Sequence, residues 1–257
     1  MTIALRIQII ALVVVSALST PAIADDDAAI TPYRPSVSSP AQLPSPGQLE
    51  FELGGLHAKS GDERRDSVPY LFKLAFNEQW GLLIGGEGLV HIRDGVGVRE
   101  NGVGDTSVVL KRAFIVSDSS AFGLEFGVKV PTAKETIGSG KSDYTLNTIF
   151  SQDIDKLHVD LNLNATRLGA FDPGTSKTQT GMSASFSLPI AEKWGATAEI
   201  SGTHRNGVDN TSQLLAAVTY SPSKRLTFDF GLTKALDNTS QDLAIFAGVV
   251  VPIARLW

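Results

Sequence analysis

No cysteine occurs in the 257 residues, which excludes disulfide staples, thiolate metal sites and a cysteine nucleophile. Bases are in short supply, 22 Lys and Arg against 27 Asp and Glu, and a net charge of −5 is the wrong sign for binding nucleic acid. Long hydrophobic runs are missing as well. Apolar residues make up 42% of the chain, yet beyond residue 24 no uninterrupted stretch reaches the roughly 20 residues of a spanning helix. The nearest, Leu243 to Trp257, is broken by Pro252 and Arg255. The hydrophobicity is instead divided into short pieces separated by many of the 24 glycines.

Residues 1–24 read as a cleaved signal peptide. Arg6 supplies the positive start, Ile9 to Val15 the apolar stretch, and Ala22-Ile23-Ala24 the small-x-small cleavage site before Asp25. Loss of Arg6 takes the net charge from −5 to −6. Residues 25–47 follow with Pro32, Pro35, Pro40, Pro44 and Pro46 among Ser and Ala. Proline at that density removes hydrogen-bond donors and favours solvated extended chain, so a flexible periplasmic tail is expected.

From Gln48 to the end the period is two. Leu49, Phe51 and Leu53 alternate with Glu50, Glu52 and Gly54, and Phe122, Leu124, Phe126 and Val128 alternate with Gly123, Glu125, Gly127 and Lys129. Leu226, Phe228, Phe230 and Leu232 repeat the pattern near the C-terminus. Successive strand side chains face opposite ways, so each segment has one apolar and one polar face; a helix would scatter them. Twelve such segments are legible, each of about 10 residues or more, the length a tilted strand needs to cross a bilayer. Short connections at 77–79, 116–119, 153–156, 190–193 and 222–225 alternate with longer ones at 59–66, 94–104, 132–141, 169–179, 205–211 and 237–241. Trp80 and Trp194 each open a strand after a short turn, where an interfacial aromatic girdle lies. The expected fold is all-β, a single antiparallel up-and-down transmembrane β-barrel of about twelve strands over residues 48–257. A soluble sandwich shows the same alternation but does not require strands of so constant a length.

The terminal Trp257, after Val249, Val251 and Ile253, resembles the assembly signal of outer-membrane barrels, with Arg255 departing from its usual pattern. The polar strand faces collect the candidate lumen-lining residues Glu87, Arg93, Lys111, Glu125, Lys129, Asp143, Asp160, Glu199 and Asp229, with Glu50, Glu52, Lys73 and Asp105 beside them. Acids predominate. Ladders of paired charge are the plainer expectation, and an acidic path for cations or neutral solutes the sharper one. Twelve strands give a backbone diameter of roughly 24 Å and leave roughly 10 Å between side chains. Gly138-Ser139-Gly140-Lys141-Ser142 resembles a phosphate loop, but Glu135 stands where its first glycine belongs. His57, His91, His158 and His204 are scattered, and nothing marks a nucleophile, so no enzyme, metal or cofactor is expected.

Gly102-Val103-Gly104-Asp105 leading to Leu110-Lys111-Arg112, then Val128-Lys129-Val130-Pro131-Thr132, then Gly138-Ser139-Gly140 with Asp143-Tyr144, resemble the meta-pathway phenol-degradation, or "transporter", family of outer-membrane barrels. The stretch from Gly181 through Leu188-Pro189 to Trp194 and Glu199 is similar too, whereas Ala133-Lys134 replaces the family's usual Gly-acid pair. The resemblance implies a monomer in the outer membrane of a Gram-negative bacterium that admits small, often aromatic compounds. The partners so expected are outer-membrane lipid and lipopolysaccharide, the barrel-assembly machinery through the C-terminal strand, and a small-molecule solute. A sealed, non-conducting surface barrel is the alternative.

Overall fold

A computed structural model describes residues 28–237 and 242–257. The signal-peptide reading, on residues 1–24, lies outside them. Among the described residues every regular element is a strand: β1 (Gln48–Ser60), β2 (Glu63–Ala75), β3 (Trp80–Arg93), β4 (Arg99–Gly102), β5 (Thr106–Ser117), β6 (Ser120–Val130), β7 (Asp143–Ile154), β8 (Leu157–Arg167), β9 (Thr178–Ala191), β10 (Trp194–His204), β11 (Thr211–Ser223), β12 (Leu226–Ala235) and β13 (Leu243–Arg255). Each pairs antiparallel with its neighbours, and β13 pairs with β1, so the sheet closes on itself. β3 pairs with β5 through Trp80–Gly85 and with β4 through Val90–Arg93. β4 and β5 therefore occupy one position in the wall, split by Val103–Asp105, and the barrel has twelve staves, as expected.

Alternation sets which side of the wall each residue meets. Along β6, Ala121 and Glu125 are buried while Phe122 and Phe126 are about half exposed. Phe230, Leu163 and Met182 are exposed by 59%, 59% and 64%. Large apolar side chains turned outward on every side of a closed barrel suit hydrocarbon, and closure satisfies the backbone hydrogen bonds that hydrocarbon cannot. Trp194 lies 4.8 Å from Tyr220 between ring centroids, and the Arg112 guanidinium sits 5.0 Å over the Trp80 ring, both at the short-turn end.

Among the described residues the connections differ from expectation at two places. The segment 94–104, read as a long loop, contains β4, and the segment 59–66, also read as a long loop, is a tight turn at Gly61-Asp62, because β1 and β2 continue as a hairpin to Ser60 and Glu63. Gly61 supplies the positive φ, +56°, that such a turn requires.

The Pro-rich segment overturns its reading as a flexible tail. Residues 28–47 enter the barrel at the short-turn end, where the Ile30 N–H donates to the Lys224 carbonyl at 2.9 Å. They cross the lumen and return to Gly47, whose carbonyl accepts the Leu256 N–H at 2.8 Å. Gly47 has φ +78°, and a Cβ there would meet Trp257, so glycine is needed to turn the segment into β1. Proline shortens the list of backbone donors that must be satisfied inside the barrel, which is as useful in a lumen as in solvent.

Candidate functional site: a lumen crossed by its own N-terminal segment

The segment supplies donors, and the wall supplies acceptors. The Thr31 N–H donates to Glu50 at 3.0 Å and the Tyr33 N–H to Glu52 at 2.8 Å. The Val37 and Ser38 N–H groups both donate to Oε2 of Glu199, at 3.0 and 2.9 Å. Arg34 makes a bidentate pair with Asp229, both bonds 2.9 Å, the strongest geometry available to that pair. The Ser39 N–H reaches Asn162, and the Ala41 N–H reaches Ser151 at 2.8 Å. Through these contacts one short segment touches β1, β7, β8, β10 and β12.

Two lysines complete the attachment. Lys73 is fully buried and serves Glu52 at 2.5 Å, Glu50 at 3.0 Å and the Thr31 carbonyl. Lys111, also fully buried, pairs with Glu125 at 3.0 Å and donates to the Pro40 carbonyl. The Tyr33 ring lies between them, 4.4 Å from one ammonium and 4.2 Å from the other, and its hydroxyl donates to the Gln42 carbonyl at 2.7 Å. Cation–π attraction of this kind is worth about 2 kcal/mol when desolvated.

Most of the residues assigned to the lumen from sequence do face it, though in several groups rather than one path. Lys111, Glu125, Asp160, Glu199 and Asp229 are buried around the segment. Asp160 accepts from Ser151 and His158. Toward the long-loop end Glu87 pairs with Arg65, and Lys129 bridges Asp143 at 2.7 Å and Asp105 at 3.4 Å. Arg93 is the correction. It shares the face of His91 and Leu89 rather than that of the buried Val90, so it is exposed on the outer side of β3. The irregularity between Ser67 and Pro69 opposite Val90 and Glu87 shifts the parity of the strand there, and simple counting along β3 misses it.

Every lumenal acid named above has at least one hydrogen-bond donor; for Glu199 these are the N–H groups of Val37 and Ser38, with no cation paired to it among the described residues. The segment's own residues, Tyr33, Arg34 and Ser38 above all, were missed by sequence reasoning. One signal was available: the acids on the lumenal face outnumber its bases, and the missing donors are the segment's N–H groups and Arg34.

The space that remains is divided at Val37–Ser38. On the long-loop side a cavity of about 380 Å³ is lined by Val37, Asn162, Asn164, Ser183, Ser201 and Gln213. On the other side one of about 420 Å³ runs from Ser38 past Ser187, Thr197 and Thr219 to Lys156 and Lys193 in the short turns. A third, about 310 Å³, lies between the segment and β2, β3 and β5, against Leu71, Leu83 and Val109. Between the two cavities the Ser38 hydroxyl donates to that of Ser183 at 2.8 Å, joining the segment to β9.

Glycine makes the fit possible. A Cβ on Gly54 would lie 2.7 Å from the Arg34 guanidinium, and one on Gly248 would collide with the same group. Gly54→Val is expected to evict Arg34 from Asp229 while leaving the strand intact. The checks are unchanged heat-shifted gel mobility and faster protease cleavage of the N-terminal segment in folded barrels.

A closed barrel of twelve staves with apolar outer and polar inner faces defines the class: a transmembrane barrel of the outer-membrane kind. The chain belongs to the family described as "Putative MetA-pathway of phenol degradation", whose profile matches residues 34–252. Among solved structures the fold is similar to that of the COG4313 outer membrane channel from Pseudomonas putida F1, with a TM-score of 0.65 and 10% identity over 90% of this chain and all of that one. It is similar also to the NanC porin, with a TM-score of 0.57 and 7% identity over 79% of this chain and 99% of that one. The CymD monoaromatic hydrocarbon channel gives a TM-score of 0.50 and 8% identity over 82% of this chain and 90% of that one. No curated protein matches in sequence.

Proposed function

We propose that the protein is a passive channel of the outer membrane of a Gram-negative bacterium, with the short turns in the periplasm and the long loops outside. Its cargo is small, uncharged molecules, single-ring aromatic compounds among them, and the N-terminal segment controls their passage. The observation that carries this reading is the pair of cavities that meet the segment at Val37–Ser38 from opposite ends. The cavity on the long-loop side is walled mainly by hydroxyls and amides of β7–β11, while the one on the other side also has Lys156, His158, Asp160, Glu192 and Lys193 on its wall. A neutral solute loses little on the hydroxyl and amide surface beside Val37, where no charged side chain lines the cavity. The cavity against Leu71, Leu83 and Val109, whose wall also includes Glu52 and Glu125, has the volume for one aromatic ring, since about 150 Å³ accommodates benzene.

Among the described residues no group of three or more His, Asp or Glu is placed to hold a metal ion. The alternative, a sealed structural barrel, draws on the same segment that fills the lumen. Liposomes carrying the mature chain decide between them. Influx of phenol-sized neutral solutes well above that of protein-free vesicles, together with small, weakly selective ion conductance, is the expected result. Influx equal to that of empty vesicles across a panel of neutral solutes would leave only the sealed barrel.

A further inference from the structure

The wall carries an unexpected row of bases on its outer side. Lys59 on β1 is opposite Arg64 on β2, Arg64 is opposite Arg93 on β3, and Arg93 is opposite Arg99 on β4. Directly opposed residues on antiparallel strands share a face, so four cationic side chains stand side by side at the long-loop rim. That face is the outer one, since Lys59 follows the buried Ala58 and has the parity of Leu53 and Phe51. All four are exposed. Like charges directly opposite one another destabilise a sheet. The neighbouring acids do not relieve the row: Glu63 and Glu100 occupy the alternate, lumenal positions, Asp94 caps the N–H groups of Val96 and Val98, and Asp62 lies in the β1–β2 turn against Gly95. An external anion would relieve it.

Beneath this row the face changes character in two steps. The next row is polar and internally paired, His57 with Asp66 at 2.6 Å and His91 with Asn101 at 2.7 Å. Two residues further along each strand come Gly55, Val68, Leu89 and Val103, which with Phe230 and Ala247 line a groove of about 1040 Å³. Leu89 is 65% exposed, and nothing lies within 4 Å of a Cβ built on Gly55, so the floor is open. From rim to groove the order is cation, polar, apolar.

We propose that this face is a binding site for lipopolysaccharide, its lipid A phosphates on Lys59, Arg64, Arg93 and Arg99 and one acyl chain in the groove beneath. The order of surfaces reproduces the order of groups in that lipid, phosphate at the membrane surface and hydrocarbon below. A phosphate takes paired N–H donors from arginine, which suits three guanidiniums in a line. The site goes beyond conduction and needs only the orientation with long loops outside, so its test can fail without touching the channel reading.

The experiment measures binding of bis-phosphorylated lipid A to the full mature chain in detergent, by native mass spectrometry, with folding checked by heat-shifted gel mobility. Wild type is expected to retain one lipid A. Arg64→Glu with Arg93→Glu should weaken retention by at least roughly tenfold, since each base near an anionic lipid surface contributes a factor of about five. Arg64→Lys with Arg93→Lys should keep most of it, and lipid A stripped of its phosphates should bind wild type no better than the reversed variant. Gly55→Phe, which fills the groove without touching the bases, should weaken binding on its own. Equal retention by wild type and reversed variant overturns the proposal, as does equal retention of phosphorylated and phosphate-free lipid. A groove that takes an uncharged detergent and ignores lipid A overturns it too.

Discussion

Joining Ser38 to Ser183 through a disulfide should close the channel. The two hydroxyl oxygens are 2.8 Å apart where the segment meets β9 between the two cavities, a separation that two cysteines can bridge with little backbone movement. The chain has no cysteine of its own, so Ser38→Cys with Ser183→Cys gives a single possible bond. Oxidised protein in planar bilayers or swelling liposomes is expected to lose nearly all solute flux, and reductant should restore it. Removing residues 28–46 should do the reverse and raise conductance by roughly an order of magnitude, because the bare barrel leaves an opening of roughly 10 Å. Flux through the oxidised form equal to that of the reduced one would mean that solutes do not pass Val37–Ser38, and the gating role of the segment would be lost.

The second large effect concerns Lys73. This ammonium is fully buried and is the common partner of Glu50 and Glu52, while the same carboxylates hold the N–H groups of Thr31 and Tyr33. Lys73→Met leaves two buried carboxylates 2 residues apart on one strand with no cation between them. Breaking a buried pair by removing one partner costs about 3–5 kcal/mol, most of it from the charge left behind. The urea midpoint for loss of the compact form on unheated gels is expected to fall in proportion to that loss. Adding Glu50→Gln and Glu52→Gln to Lys73→Met should recover most of it, because the uncompensated charge is then gone. If the triple variant is no more stable than Lys73→Met alone, the loss comes from packing of the lysine stem.

Much of the barrel was legible in the chain. A period of two along β6 or β12 can be read residue by residue, because each side chain of a strand meets one of two solvents and the polarity must follow. The inward set of Lys111, Glu125, Asp160, Glu199 and Asp229 came from the same rule. It failed at Arg93, where Val68 alone stands opposite Gly88-Leu89, between the pairs Ser67–Val90 and Pro69–Glu87, and shifts the parity of β3 by one. It also failed at 59–66, where a run of charges looked like a loop but continues the β1–β2 hairpin beyond the apolar belt.

Local pattern alone therefore determined the class of this protein: strands of spanning length, one face for hydrocarbon, closure by a terminal strand ending near Trp257. Where residues 28–47 go was decided only by the tertiary structure. Nothing in a stretch of Pro, Ser and Ala distinguishes chain in water from chain in a water-sized lumen, since its few donors can be satisfied by either. The acceptors that choose for it, Glu50, Glu52, Glu199 and Asp229, come from strands distant in sequence, and they converge on Thr31, Tyr33, Arg34 and Ser38 only once the barrel has closed.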